Sequence, residues 1–224
     1  MSGKAKEKLE VYFKPMLCEE GKESDLNNPN YIGTLKVDGT RCIIERTENG
    51  FQIFGKRGLT YTNILPELGN LAKIPQLFRL DGEIVYIDSK GHQVFRGSQI
   101  RCQISNAEKV KEYSGLYPIG IFLFDITMLN GIDLTQLPFI KRFTILTHFL
   151  KLYSELLDLS NVRLIPISMN KQEMYEWAKA SGLEGLVLRL INGKYEVGTR
   201  SKNALKVKCR EHSIFVLDGE YHTQ

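Results

Sequence analysis

The sequence predicts an α+β fold of antiparallel sheets flanked by helices, on two observations. Its front half holds two strand–turn–strand patterns, at residues 41–56 and 83–95, and its back half holds two helical patterns, after Pro138 and after Asn170.

Residues 41–47 and 51–56 flank Glu48-Asn49-Gly50, and residues 83–88 and 93–95 flank Ser89-Lys90-Gly91. Each pattern reads as a hairpin, because a Gly-containing turn supplies the backbone freedom that chain reversal needs. The most apolar stretch, residues 119–129, is interrupted by Asp125 and is too short to span a bilayer. After Pro138, the residues Phe139, Phe143, Leu146, Leu150, Tyr153 and Leu157 recur every three or four positions, marking a helix whose apolar stripe covers a sheet. Asn170 with Glu173 forms a capping pattern for a second helix, which stops near Ser181-Gly182, so Glu184 opens a strand. A further strand is expected from Ile214.

Composition bounds the function. At 42% hydrophobic and 25% charged residues the chain buries a real core, which excludes a disordered protein. Its start, Met1-Ser2-Gly3-Lys4-Ala5-Lys6-Glu7-Lys8, is charged with no apolar segment behind it, so no signal peptide or membrane anchor is expected. The expected location is intracellular, cytoplasmic or nucleoid-associated. Cys18, Cys42, Cys102 and Cys209 are widely separated, and the single Cys-x-x-His pair, Cys209 with His212, has no second pair to complete a zinc site; buried free thiols are expected. Net charge is only +4, but residues 189–210 hold Arg189, Lys194, Arg200, Lys202, Lys206, Lys208 and Arg210 against Glu196 alone, an excess suited to docking a polyanion.

The chemistry concentrates in Lys36-Val37-Asp38-Gly39-Thr40-Arg41, which places an amine, a carboxylate and a guanidinium on one short extended segment. Side chains alternate across a strand, so Lys36 and Asp38, Asp81 and Glu83, and Lys206 and Lys208 are each expected on one side, lining one cleft. A lysine attacks phosphorus only as the neutral amine. Arg41, Lys206, Lys208 and a divalent metal would disfavour a protonated Lys36 while offsetting the charge of a triphosphate.

Lys36 to Arg41, Asp81-Gly82-Glu83, Phe124-Asp125, Glu184-Gly185 and Lys206-Val207-Lys208, in that order, resemble the motifs of the covalent nucleotidyltransferases, and among these they most resemble the ATP-dependent DNA ligases. Lys14-Pro15-Met16-Leu17 is similar to the family's approach to its nucleophile, and Tyr195, Gly198, Arg200 and Ser201 are similar to its Tyr-x-x-Gly-x-Arg-Ser segment. The resemblance implies a ligase-type nucleotidyltransferase domain of ATP-grasp-like build over residues 1–210 and the start of an incomplete oligonucleotide-binding (OB) fold over 211–224. It implies that Lys36 is the catalytic nucleophile, taking AMP from ATP as a phosphoramidate and releasing pyrophosphate. Thr34 falls at the adenine contact, Phe124 at the purine face, Arg41 and Glu83 near the ribose, and Lys206 and Lys208 at the α-phosphate. Arg57, in Gly55-Lys56-Arg57-Gly58, matches an arginine facing AMP and the 5′-phosphate of a nick, and Arg200 a further nucleotide contact. Asp38, Glu83 and Glu184 match metal-side carboxylates for Mg2+, or Mn2+ in its place. AMP would pass to a 5′-phosphate and be displaced by a 3′-hydroxyl. The implied partner is nicked duplex DNA, with RNA as the other polymer, and a monomer is expected.

The chain departs from the family pattern at Thr34, where many relatives carry Glu, and at Ala204, near which a Trp is common. Plainer roles exist for each residue. Lys36 and Asp38 read as a surface ion pair, Asp81-Gly82-Glu83 as a turn like its second copy Asp218-Gly219-Glu220, Phe124 as core, Glu184 as a solvated acid, and Lys206 and Lys208 as a solvated strand face. Rival functions are an RNA ligase, a capping guanylyltransferase using GTP, and a non-catalytic nucleic-acid-binding module. NAD as the AMP donor is disfavoured, because relatives using it carry an extra domain and only 35 residues precede Lys36.

Overall fold

The computed structural model describes residues 12–88, 93–104 and 106–209, and the backbone of two short strands beyond them. The charged N-terminal segment, Ser89-Lys90-Gly91, Arg210, His212 and Asp218-Gly219 lie outside the described residues.

In chain order the elements are β1 (Leu17–Glu20), β2 (Tyr31–Lys36), β3 (Thr40–Thr47), β4 (Gly50–Gly55), β5 (Phe78–Tyr86), α1 (Phe95–Gln103), α2 (Ala107–Leu116), β6 (Ile119–Leu129), β7 (Ile132–Asp133), α3 (Phe139–Ser154), β8 (Val162–Leu164), β9 (Ile167–Ser168), α4 (Lys171–Ala180), β10 (Gly185–Leu190) and β11 (Arg200–Lys208). Short 3-10 turns occupy Glu23–Asn27 and Pro66–Lys73. One sheet runs β1-β11-β10-β2-β9, and the other runs β4-β3-β5-β6-β7 with β8 parallel to β6. The α+β expectation holds, with mostly antiparallel pairing.

The first hairpin forms as expected, with Thr47 opposite Gly50. In β3 the consecutive residues Cys42, Ile43 and Ile44 are all buried, so this strand is covered on both faces. The helix after Pro138 buries Phe139, Phe143, Leu146, Leu150 and Tyr153 against β6, and Phe149 meets Phe78 edge-on at 5.4 Å. Leu157 lies past the helix end. At α4 the Asn170 side chain accepts from the Glu173 N–H at 3.3 Å and donates to the Glu173 carboxylate at 2.6 Å, closing the first turn. This helix packs on β10 and β2 and stops at Ser181-Gly182, where Gly182 takes a φ of 67°.

The second hairpin differs. Its return strand shrinks to one bridge, Ile87 opposite Gln93, and the chain enters α1 at Phe95. No apolar period announces this helix; tertiary contacts make it. Gly97 lets it press on β5, since a Cβ there would sit 2.1 Å from the Tyr86 ring. Arg101, fully buried, donates to both Glu67 oxygens at 2.7 and 3.0 Å and to the Ile64 and Tyr117 carbonyls. At the other end of the chain, the backbone forms a hairpin of β12 (Ile214–Leu217) with β13 (Glu220–Thr223), where one strand across 214–221 was expected. Cys42 and Cys102 are buried as expected, whereas Cys18 and Cys209 are partly exposed; all are free thiols.

A strap at residues 12–16 ties the two sheets together. The Tyr12 ring meets Phe54 at 5.8 Å and its hydroxyl donates to the Lys56 carbonyl, while Phe13 packs on Tyr195 at 5.7 Å and lies under the Arg79 guanidinium at 4.3 Å. The Lys14 carbonyl accepts from the Gly198 N–H at 2.9 Å, and the Met16 carbonyl accepts from Arg41 at 3.2 Å. Among the described residues no helix is long and apolar enough to cross a membrane.

Candidate active site

The two sheets face each other across a cavity of about 240 Å3. Strand register decides what enters it. Lys36 stands opposite Gly185, which stands opposite Lys208; two residues along, Thr34, Val187 and Lys206 form the next row on the same face. A Cβ on Gly185 would lie 2.2 Å from the Val207 carbonyl, and its φ is 137°, so only glycine lets β10 and β11 close beside Lys36. From this sheet come Thr34, Lys36, Val187, Arg189, Arg200 and Lys206; from the other come Arg41, Glu83 and Phe124.

Seven of the residues singled out from sequence therefore share one cavity: Thr34, Lys36, Arg41, Glu83, Phe124, Arg200 and Lys206. Lys36 Nζ lies 2.5 Å from Glu184 Oε1. Thr34 donates its hydroxyl to the Val187 carbonyl at 2.9 Å. Arg200 is braced by the Cys18 carbonyl at 2.5 Å. Lys206 pairs with Glu20 at 2.6 Å, and this hydrogen bond, helped by the charges of Lys206, Lys208 and Arg200, holds the Glu20 carboxyl below its usual range against the opposing effect of burial.

Behind this wall sits a buried hub. Asp81 accepts from Arg41 Nε at 2.5 Å, Arg41 Nη2 at 2.6 Å and the Tyr195 hydroxyl at 2.6 Å. The guanidinium of Arg41 is thereby fixed 4.6 Å above the Phe124 ring. On the next residue of β6, Asp125 takes a two-pronged ion pair from Arg142 at 2.8 and 2.9 Å, which locks α3 to the strand and sets Phe124 facing the cavity. Burial pushes the Asp125 carboxyl up, and Arg142 opposes it.

Glu83 is the titratable wall residue. Burial raises its carboxyl to about 7, against the pull of Arg41 and Lys36. Four expected relations change; of the pair expected together in the cleft, Lys206 lines this cavity and Lys208 does not. β2 ends at Lys36, so Asp38 leaves the strand; its N–H donates to the Gln93 side chain at 3.0 Å, and it does not line this cavity. Asp81 and Glu83 do share a side, but Asp81 is spent on the hub. Arg57 lies in a neighbouring cavity of about 830 Å3 that shares Arg41, Lys56 and Glu83 with the first.

Among the described residues, no three His, Cys, Asp or Glu side chains form a metal cluster. Glu184 pairs with Lys36, and Glu83 lines the same cavity as Lys36; a magnesium ion characteristically uses one or two carboxylates and completes its shell with substrate phosphates and water.

Sequence reasoning missed Arg189 and Lys56. It put Arg189 on a docking surface, yet Arg189 is only 4% exposed, its Nε has no partner, and its guanidinium sits 4.8 Å from Phe124. Parity held the signal, because Gly185, Val187 and Arg189 share one face of β10.

Solved structures of DNA ligases share this fold. A mycobacterial DNA ligase D complexed with ATP and MES superposes with a TM-score of 0.67 at 20% identity, covering 88% of this chain and 60% of that one. The ATP-dependent DNA ligase of bacteriophage T7 in complex with ATP gives 0.64 at 17% identity, covering 89% and 70%. In sequence, the prophage-derived DNA ligase-like protein LigB of Bacillus subtilis is 30% identical over 210 residues, 93% of this chain and 72% of that one. A probable DNA ligase of Dictyoglomus turgidum is 29% identical, but this chain spans only 30% of its length. The ATP dependent DNA ligase domain model matches residues 15–208, and the chain belongs to that family.

Proposed function

We propose that the chain is the catalytic part of an ATP-dependent DNA ligase, working inside the cell as a monomer on nicked duplex DNA. The observation that carries this reading is Lys36 at the end of β2, in a cavity whose cations Arg41, Arg189, Arg200 and Lys206 come from both sheets. In the reaction, the Lys36 amine attacks the α-phosphorus of ATP; the N–P bond forms, the bond to pyrophosphate breaks, and the proton leaves the amine. Lys206, with Lys208 two residues on, binds the α-phosphate as charge builds there. Glu184 and Glu83, with Asp38, would hold Mg2+, which would supply charge neutralisation for the leaving pyrophosphate.

Adenine is recognised by Thr34 and Phe124. Because the Thr34 hydroxyl spends its proton on Val187, its oxygen remains an acceptor, which suits the 6-amino group of adenine and not the 6-oxo group of guanine. Arg189 faces the same space as a donor for purine ring nitrogens. This chemistry favours ATP over GTP and so a ligase over a capping enzyme. Arg41 and Glu83 stand at the ribose, Arg200 at a further nucleotide contact, and Arg57 next door, where a 5′-phosphate would wait.

Incubation with α-labelled ATP and magnesium tests the reading. Label should survive denaturation, disappear in Lys36→Ala, and pass to a 5′-phosphorylated nick. No covalent label on the wild-type chain would overturn it, and nicked RNA in place of nicked DNA decides the polymer.

A further inference from the structure

We propose that Glu20, at the end of β1, is a positioning residue for nucleotide transfer, holding the Lys206 ammonium where the α-phosphate of ATP must meet it. This rests on the ligase reading and adds to it a residue that lies outside all of the ordered motifs. Lys206 Nζ lies 2.6 Å from Glu20 Oε1, and Lys206 lines the nucleotide cavity whereas Glu20 does not. The carboxylate thus grips the lysine from outside the cavity and takes none of the space a phosphate would fill. An ammonium has three donors, so with one given to Glu20 two remain for phosphate oxygens.

Strand register creates this contact. β1 runs parallel to β11, with Leu17 opposite Arg200 and Cys18 opposite Ser201, and an unbroken ladder would set Glu20 against Asn203. Instead the pairing jumps from Ser201 to Leu205 between Cys18 and Glu19, which brings Glu20 opposite Lys206. Irregularities of this kind re-aim a side chain beside an active site. The residues passed over are pinned, because the Asn203 N–H donates to Ser201 Oγ and the Asn203 side chain donates to the Lys194 carbonyl, each at 3.0 Å. Directly after Glu20, the Gly21 N–H donates to the Lys206 carbonyl at 2.9 Å and fixes the new register. The same strand serves a second cation of the cavity, since the Cys18 carbonyl accepts from Arg200 at 2.5 Å. Stability is not what the pair supplies: the Glu20 side chain is 70% exposed, and water screens such a pair. What it removes is the freedom of a long, flexible lysine stem before charge builds on the phosphate.

The test is single-turnover covalent labelling of the full chain with α-labelled ATP and magnesium, followed over a range of ATP concentrations. Glu20→Gln should lower the maximal labelling rate about fivefold, the upper end of what an exposed ion pair supports, and leave the half-maximal ATP concentration unchanged. In a Lys206→Ala background the same substitution should have no further effect, because it reaches the reaction only through that ammonium. The urea midpoint of Glu20→Gln should match the wild type, so that the slower step is not a folding defect. A wild-type labelling rate in Glu20→Gln, or a loss of equal size in the Lys206→Ala background, would overturn the proposal. A lower half-maximal ATP concentration would also overturn it, by making Glu20 a competitor of the phosphate. The ligase reading is scored by whether the wild-type chain takes label at all, and the role of Glu20 by the ratio between variants. A wild-type chain without label would sink both, whereas a labelled one indifferent to Glu20 would sink the second alone.

Discussion

Lys36, the last residue of β2, forms an ion pair 2.5 Å long with Glu184, the residue before β10. The ion pair engages the amine whose lone pair must reach phosphorus. Nucleotide and metal must therefore draw Glu184 away.

Glu184→Gln should slow covalent labelling by about 10- to 100-fold, the range for residues that support a metal site. It should also move the magnesium dependence to higher concentration. Labelling at the wild-type rate with an unchanged magnesium dependence would show that Glu184 has no part in the step.

Thr34→Val keeps the shape and removes the hydroxyl. The ATP-over-GTP preference in labelling should shrink about fivefold, the value of one hydrogen bond. An unaltered ratio in competition labelling would place base discrimination elsewhere.

Arg189→Met separates function from stability. A buried guanidinium whose Nε lacks a partner costs the fold, so the variant should be more stable by about 1 kcal/mol in urea unfolding. The KM for ATP should rise at the same time. A less stable variant would mean that the arginine is structural.

Glu83 sets a pH dependence whose sign follows from its raised carboxyl, about 7 against an ordinary 4.5. Between those values the native state holds more protons than the unfolded chain, so stability falls as pH rises through about 7. Full desolvation would give about 3 kcal/mol; because Glu83 lines open cavities, about 1 kcal/mol is expected. Asp125, also raised by burial, acts in the same sense. Urea midpoints at about pH 5 and about pH 8 should therefore converge in Glu83→Gln relative to wild type. An identical pH slope in both proteins would refute the assignment.

Arg142→Met leaves the Asp125 carboxylate buried without its partner and should cost about 3–5 kcal/mol. Adding Asp125→Leu should restore most of that loss, because a buried ion pair contributes little beyond its apolar replacement. If the double variant were as unstable as the single one, the pair would hold α3 to β6 by more than charge.

Local signals in the sequence carried β3–β4, α3 and α4, because a turn with glycine, an apolar stripe and a cap each act within a few residues. α1 was illegible for the opposite reason: its formation depends on Glu67, Ile64, Tyr86 and Tyr117, which are distant in sequence. The site followed the same division. Motif order found Lys36, Arg41, Glu83, Phe124 and Lys206, which the two sheets bring together. Asp38 was misplaced because alternation was carried two residues past the end of β2. Arg189 was counted with its charged neighbours, when its strand parity turned it inward.

The family match begins at residue 15, whereas Tyr12 and Phe13 already grip Lys56, Phe54, Tyr195 and Arg79. A fragment cut to the matched span would keep the five ordered motifs from Lys36 to Lys208 yet shed two aromatic fastenings between the halves of the cleft. Its jaws would be free to drift apart, and the turn carrying Arg57 would lose its anchor.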